Sequence, residues 1–258
     1  MYNHVHFKFL PMSSRVLFTM VLLVFGLGYL FAMIQVWGSH AGKDGESMLT
    51  ARDLMISYGG NPEGTRMESA LRSSMADMAP EDEKNAIFDW LHRGAPEDEF
   101  QSKIDPILQT YCVACHNPGA NPQLPDLSTP AGVAKVTAQD TGMNLHTLVR
   151  VSHIHLFSIT FIFFIVGNIF THAYVRPTWL KCVLIAAPFL MLITDVASWY
   201  LTKVWEGFAW VVIGSGGIMG ISFAAMWFIS MYQIWFFKPP QELVEKEGKI
   251  PCLHGKAD

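Results

Sequence analysis

The chain has 258 residues, a net charge of −4 and 51% hydrophobic residues, and its mean hydropathy is +0.26. This composition is too apolar for an ordinary soluble protein and too charged for a chain that lies wholly within a membrane. The negative net charge argues against nucleic acid as a partner. Apolar spans and a polar domain should therefore alternate along the sequence.

The first apolar span covers residues 16–37 and is long enough to cross a bilayer as a helix. It follows a polar and basic segment in which we expect His4 and His6 to be solvated. A cleaved signal peptide is the alternative, because Ser39-His40-Ala41 resembles a cleavage site. We favour an uncleaved anchor because the apolar run is longer than the roughly 7–15 residues of a signal peptide.

A polar segment with Gly, Pro and acidic runs follows at 38–145, and three further apolar spans lie at about 145–170, 182–201 and 208–237. Each span is long enough to cross a bilayer. We expect the charged tail, 238–258, to be disordered. The sequence therefore predicts an all-α fold, in which four transmembrane helices carry a small helical domain inserted between helices 1 and 2.

The positive charges near the spans set the orientation. Five of them fall on the side of the N-terminus: Lys8, Arg15, Arg176, Lys181 and Lys238. Both termini would then be cytoplasmic in a bacterial inner membrane. Four domains are expected: a cytoplasmic tail with its anchor (1–37), a periplasmic domain (38–145), a three-helix transmembrane domain (146–237) and a cytoplasmic tail (238–258).

The periplasmic segment contains Cys112-Val113-Ala114-Cys115-His116, the haem c attachment signature. In this signature two thiols on one helical turn bind the vinyl groups of haem, and the histidine coordinates the iron. A zinc or redox Cys-x-x-Cys is the alternative. It is disfavoured because the other two cysteines, Cys182 and Cys252, form no second pair. One covalent haem c, bound by Cys112, Cys115 and His116, is therefore predicted, and its attachment outside the cytoplasm agrees with the orientation.

Apolar side chains recur at helical spacing before the first cysteine: Phe100, Ile104, Ile107 and Tyr111. Asp105-Pro106 is typical of an N-cap and a first helical residue, so we expect the helix to begin there. Residues 100–116 together resemble the opening helix of class I cytochromes c.

Residues 59–96 look like the closing half of the same family, with methionines, a short turn, a helix containing Trp90, and Gly94-Ala95-Pro96. Here the closing half precedes the opening half. We interpret this order as a circularly permuted cytochrome c, with residues 94–99 as the link. Such a link is plausible because the first and last helices of that fold pack against each other.

The resemblance implies a methionine as the second iron ligand, with Met78 as the first choice and Met75 as the next. Met143, His146 and His92 are alternatives, and a histidine would give the haem a lower potential than a methionine would. The two preferred methionines could also simply fill a small helical core.

Histidines and one acid inside the spans suggest a second site, because ionisable groups at membrane depth are costly. His40 with His153 or His155 could hold a b haem. Asp195 with either of the latter histidines could accept a proton from a quinol. The structural alternative for Asp195 is a hydrogen bond that locks the helices together.

The run from Arg150 to Phe157 makes the membrane portion similar to uncharacterised bacterial membrane-bound cytochromes c with three C-terminal spans. That resemblance implies a fold and a location but no reaction. The predicted function is an electron carrier of a respiratory chain, serving a redox partner protein or a respiratory complex, rather than a stand-alone enzyme. A quinol-oxidising membrane subunit and a haem-based sensor or assembly factor are the alternatives.

Overall fold

The structure, a computed structural model, describes residues 5–247 and is mostly helical. A 3-10 turn, Phe7–Phe9, precedes the first helix. The helices and strands of the described residues are α1 (Met12–His40), α2 (Ala51–Gly59), β1 (Asn61–Thr65), α3 (Arg66–Arg72), α4 (Glu81–His92), α5 (Glu97–Glu99), α6 (Asp105–Tyr111), α7 (Pro130–Thr137), β2 (Gln139–Asp140), α8 (Leu145–Phe170), α9 (Thr178–Thr202), α10 (Phe208–Trp235) and α11 (Gln241–Glu247).

Four helices, α1, α8, α9 and α10, are long and apolar enough to cross a membrane. The shortest has 25 residues, or about 37 Å at 1.5 Å per residue, against a hydrocarbon core of about 30 Å. The prediction of four transmembrane helices is confirmed, and the chain is a multi-pass membrane protein. The tail, however, is not wholly irregular, because α11 lies within it. Residues His4 and Cys252 and the end of the tail lie outside the described residues.

The described residues form two compact units. We call residues 5–32, 150–197 and 211–247 the membrane unit, and residues 33–149 and 198–210 the motif unit, because the second contains Cys112–His116. The expected division into domains at 37/38 and 145/146 stays a prediction.

In the membrane unit, α1 packs against α10 through specific contacts. The Trp227 indole N–H donates to the Leu22 carbonyl at 2.7 Å. The Tyr29 ring stacks on Phe223 with centroids 4.6 Å apart. The Tyr29 hydroxyl sits 2.6 Å from where a Cβ on Gly220 would lie, so the glycine makes room for it. These contacts pack the first span against the last span within the membrane unit.

His6 is buried, with 2% of its surface exposed, so the expectation of a solvated side chain is wrong. Its Nδ1 accepts a hydrogen bond from the Lys8 backbone N–H at 3.1 Å, and its Nε2 lies 3.1 Å from Gln233 Oε1. Burial lowers the pKa of His6. The local sequence could not show this burial because Gln233 is 227 positions away.

The motif unit has its own apolar core. Its buried members come from α3, α4, the helical stretch 97–111, α7 and the loop before α7: Met67, Leu71, Ile87, Phe88, Trp90, Leu91, Phe100, Ile104, Ile107, Leu108, Leu127, Val133 and Val136. The Trp90 ring contacts Phe100 with centroids 5.9 Å apart, and its indole N–H donates to the Pro96 carbonyl at 3.0 Å. These contacts fold the chain back after α4.

The helix that leads to the cysteines begins at Glu97 and not at Asp105 as predicted. Three acidic residues in its first turn suit the positive end of the helix dipole. A π-helical turn, Phe100–Ile104, then joins α5 to α6. Pro106 therefore lies inside a continuous helical stretch. A proline there removes one backbone hydrogen bond, and its ring crowds the preceding turn. The wider π-helical turn lies directly before it, where this crowding falls.

A short antiparallel pairing of β1 with β2 brings residues 61–65 next to residues 139–140, near the end of the segment 38–145, with Asn61 opposite Asp140. The buried Asp140 carboxylate accepts hydrogen bonds from the Ser69 hydroxyl at 2.6 Å and from the Gly142 N–H at 2.8 Å. A charged group at this depth is stabilised by such donors.

Replacing the fully buried Ile87 with Ala should destabilise the motif unit by about 2–5 kcal/mol, because the cavity left in the core cannot close completely. Pulse proteolysis of the full chain in detergent measures this change. Asn85→Ala, at an exposed position of the same helix, is the matched control and should change stability by less than about 0.5 kcal/mol. Equal effects of the two variants would contradict the assigned core.

Candidate cofactor site

The cysteine motif forms a compact turn at the end of α6. The Cys112 N–H donates to the Leu108 carbonyl at 2.8 Å and ends the helix. The N–H groups of Cys115 and His116 both donate to the Cys112 carbonyl, at 3.1 and 2.9 Å. Helix-like turns therefore hold the two thiols and the imidazole in one local arrangement.

Beside this turn lies a cavity of about 360 Å³, within the size range of cofactor and ligand sites. Its walls come from α3 and the turns after it, from the end of α6 with the motif, from the loop before α7, and from α7. The lining residues are mostly apolar: Arg66, Met67, Ala70, Leu71, Met75, Met78, Leu108, Tyr111, Cys112, Cys115, His116, Leu124, Pro125, Leu127 and Val136.

His116 is oriented by the loop that follows it. Its Nδ1 lies 3.0 Å from the Pro125 carbonyl oxygen, which can only accept a hydrogen bond, so Nδ1 carries the proton. The Leu127 N–H donates back to the His116 carbonyl at 2.9 Å. In the neutral imidazole the lone pair is then on Nε2, which is the arrangement of a metal-ligating histidine held by a backbone carbonyl.

Both methionines named from the sequence line the same cavity as the motif. They lie on tight turns after α3, where the Met75 N–H donates to the Ala70 carbonyl at 2.9 Å and the Met78 N–H to the Met75 carbonyl at 3.1 Å. Met75 packs against the core, whereas 55% of Met78 is exposed. The structure thus places two thioethers with the cysteines and His116, although more than thirty residues separate them in sequence.

The other candidates for the second ligand are elsewhere. Among the described residues, His92, Met143 and His146 do not line the cavity. The His92 Nε2 is 3.1 Å from a Glu68 carboxylate oxygen. The Met143 N–H donates to the Ser57 carbonyl at 3.0 Å.

The donor set does not resemble a zinc site. Within residues 5–247, no three His, Cys, Asp or Glu side chains come close enough together to hold a metal ion, and a structural zinc ion needs four such ligands. A cofactor that takes the thiols covalently and needs only the imidazole and a thioether on its metal fits the lining better. Haem c is such a cofactor.

Two arginines lie near the cavity, but only one is available to an anionic group. Arg66 lines the cavity, is exposed, and forms no salt bridge with a described residue. Arg72 pairs with Glu68 at 3.0 Å and lies over the Phe88 ring.

The two motif cysteines differ in environment. Cys112 is half-buried, and burial raises the pKa of its thiol. Cys115 is exposed. Cys182, on α9, is also exposed.

The residues proposed for a site in the membrane have separate surroundings. The His40 Nδ1 lies 2.9 Å from the Ser57 hydroxyl, and its ring contacts Tyr58. His153 is exposed on α8 with its ring edge against Phe157, centroids 5.1 Å apart. His155 is half-buried. Asp195 on α9 is buried, with 5% of its surface exposed.

Sequence reasoning missed the hydrogen-bond partner of His116, the Pro125 carbonyl. The prolines at 118, 122, 125 and 130 do predict a loop over residues 117–144 beside the expected cofactor. Leu124, Pro125 and Leu127 of that loop line the cavity.

A family model described as a transmembrane helical domain matches residues 139–242. No curated protein and no solved structure matches the chain. The fold and this match together define the chain as a multi-pass, mostly helical membrane protein. Its last three spans are similar to that transmembrane domain, and the cysteine motif and the rest of residues 33–138 lie outside the match.

In the chain without cofactor, Cys115 should react with iodoacetamide several times faster than Cys112 at pH 8. The reason is that the exposed thiol is accessible and the buried one has a smaller thiolate fraction. Mass spectrometry of peptides from chain made in the cytoplasm measures both rates. Cys115→Ser should leave the slow reaction of Cys112 unchanged. A faster Cys112 would contradict the assigned burial.

Proposed function

We propose that the chain is a membrane-bound c-type cytochrome with one covalent haem, which transfers electrons at the periplasmic face of a bacterial inner membrane. The thioether bonds would form at Cys112 and Cys115, and the iron ligands would be His116 and Met78. Met75 is the alternative second ligand. The main support for this proposal is that one cavity is lined both by the Cys112–His116 motif and by Met75 and Met78.

The residues of the cavity fit a haem group by their chemistry. Two thiols on one turn can bond to the vinyl groups, and the Nε2 atom of His116 has a free lone pair. Apolar walls from Leu71, Leu108 and Val136 would exclude water from the ring faces. Arg66 could pair with a carboxylate of the cofactor.

The order of the segments supports a permuted cytochrome c domain. The helix with Trp90 and the helix leading to the motif pack together, and only residues 93–96 separate their ends. A short link of this kind is what joining the original chain ends would need. The segment carrying the methionines can then precede the motif and still reach the same cavity.

Haem iron held by a histidine and a methionine supplies one-electron exchange without bonding a substrate. The chain's own groups would tune that exchange. The hydrogen bond from His116 to Pro125 would fix the imidazole, and a thioether raises the reduction potential relative to a second histidine. The basic residues beside the spans favour cytoplasmic termini and a periplasmic motif unit.

A second candidate function, oxidation of quinol within the membrane, is favoured by one observation. His153 is exposed on a helix that crosses the membrane, with the Phe157 ring beside it. A titratable group and an aromatic ring that face the lipid would suit a quinol arriving from the bilayer.

Reduced-minus-oxidised and pyridine haemochrome spectra of the membrane-extracted protein test the first proposal. We expect a c-type signal with one haem per chain. It should be lost from the Cys112→Ser/Cys115→Ser variant, because no thioether bond can then form. Cys182→Ser is the matched control and should keep the signal. Absence of covalent haem from chain made with a haem c attachment system would refute the proposal.

The same spectra separate the two candidate functions. A c-type signal alone, with no reduction by added quinol, would reject the second candidate. A further b-type signal or reduction by quinol, lost from His153→Ala, would support it.

Met78→Ala should lower the reduction potential by roughly 0.1–0.3 V, within the ~0.8 V range that axial ligands span, because the iron would lose its thioether. It should also allow the ferrous protein to bind carbon monoxide, which absorption spectra detect. Met75→Ala is the control, since Met75 packs against the core and its loss should reduce stability without changing the iron spectrum. The opposite pattern would make Met75 the ligand.

A further inference from the structure

Charge is divided unevenly along the chain. The segment 38–145 holds sixteen acidic and eight basic residues and has a net charge of −8, whereas the remainder holds six acidic and ten basic residues and has a net charge of +4. The whole-chain value of −4 therefore hides a strongly acidic segment between the first two spans. Such a segment attracts cations and repels anions over about 10 Å at 0.1 M salt.

Acidic residues are absent from the sequence stretch that forms one edge of the candidate haem cavity. Between Asp105 and Asp126 there is no Asp, Glu, Lys or Arg, and this stretch includes the motif and the loop that lines the cavity. Two lining side chains at this edge are exposed, Met78 by 55% and Tyr111 by 37%. The centre of a protein interface is depleted of charge and enriched in Tyr and Met in the same way.

Acidic side chains lie beside this uncharged edge. Asp77 directly precedes Met78, and Asp126 directly follows Pro125, so each Cα lies about 3.8 Å from that of a lining residue. Hydrogen bonds from Ser128 lower the pKa of Asp126, which is therefore ionised at neutral pH.

Asp82, in the first turn of α4, lies four positions after Met78 and adds a further negative charge to this part of the chain. Asp77 and Asp82 are both exposed and form no salt bridge with a described residue. Their charges are therefore available to an approaching molecule.

Two of the nearby cations are paired with carboxylates. Lys84 is buried and pairs with Glu81 at 2.7 Å, and Arg72 pairs with Glu68. Two others are exposed and offset part of the acidic charge: Arg66 in the cavity lining, and Lys135, whose charge helps to lower the pKa of Asp126.

We propose that this uncharged edge, rimmed by Asp77, Asp82 and Asp126, is the docking surface for a redox protein whose own docking face is positively charged. The proposal rests on the proposed function, because the surface surrounds the candidate haem cavity. A second copy of this chain, an anionic lipid surface and nucleic acid would each be repelled by the same charge. Complementary charge of this kind accelerates encounter by about 10–10³-fold and is weakened by salt.

Small redox reagents of opposite charge test the surface in the full chain, extracted with an uncharged detergent. Hexaammineruthenium(II), a cation, gives one electron to the ferric protein and becomes ruthenium(III). Hexacyanoferrate(III), an anion, takes one electron from the ferrous protein and becomes iron(II). Stopped-flow absorbance gives both rate constants at low and at physiological salt.

The charge-reversal variant is Asp77→Lys/Asp82→Lys. Its matched control is Glu97→Lys/Asp98→Lys, which changes the net charge equally at two exposed positions that do not line the cavity. We expect the first variant to slow the cationic reagent about tenfold at low salt and to speed the anionic reagent comparably. The control should change either rate less than about threefold.

Equal changes in the two variants would overturn the proposal, because only net charge would then matter. Unchanged rates in both would overturn it as well. If the lysine variant fails to fold, Asp77→Asn/Asp82→Asn replaces it. This variant should change both rate constants in the same directions but by a smaller factor. A chain without covalent haem would instead overturn the proposed function itself, and the haemochrome spectrum of the wild-type chain shows which has failed.

Discussion

The contact of Trp90 with the helix that follows it holds together the two sequence segments that form the candidate site. Its ring packs on Phe100 and its indole N–H donates to the Pro96 carbonyl, so the chain reverses within residues 93–96. A buried aromatic pair of this kind contributes about 0.5–1.5 kcal/mol beyond the area that it buries. Without this reversal, nothing in the local sequence would bring Met75 and Met78 to the motif.

In the proposed permuted cytochrome c domain, the same reversal would let the segments follow each other in the inverted order. Packing depends on which surfaces meet and not on the direction of the connection, and a four-residue link adds little loop entropy. Near the end of the segment 38–145, Asp140 pairs with Asn61, and the Met143 N–H donates to the Ser57 carbonyl. These contacts join α2 and β1 to the residues directly before α8.

The spans and the cysteine motif could be predicted because both signals are local: an uninterrupted apolar run, and a fixed spacing of reactive side chains. Their surroundings could not. The helix start was misplaced because Asp105-Pro106 is a strong local signal, and the π-helical turn before it has none. The burial of His6 depends on Gln233, far away in sequence. The acceptor for His116 is a backbone carbonyl, a group that every residue has.

The negative charge of segment 38–145 is not explained by the rule that orients the spans in the membrane. The positive-inside rule acts on Lys and Arg close to the ends of the spans, and acidic residues contribute little to it. A domain on either side of the membrane could therefore have either sign. Under the proposed function, the excess of acid and the twenty consecutive residues without Asp, Glu, Lys or Arg from Pro106 to Pro125 would favour encounter with a cationic surface. Solubility alone would not require this stretch around the motif to lack charge.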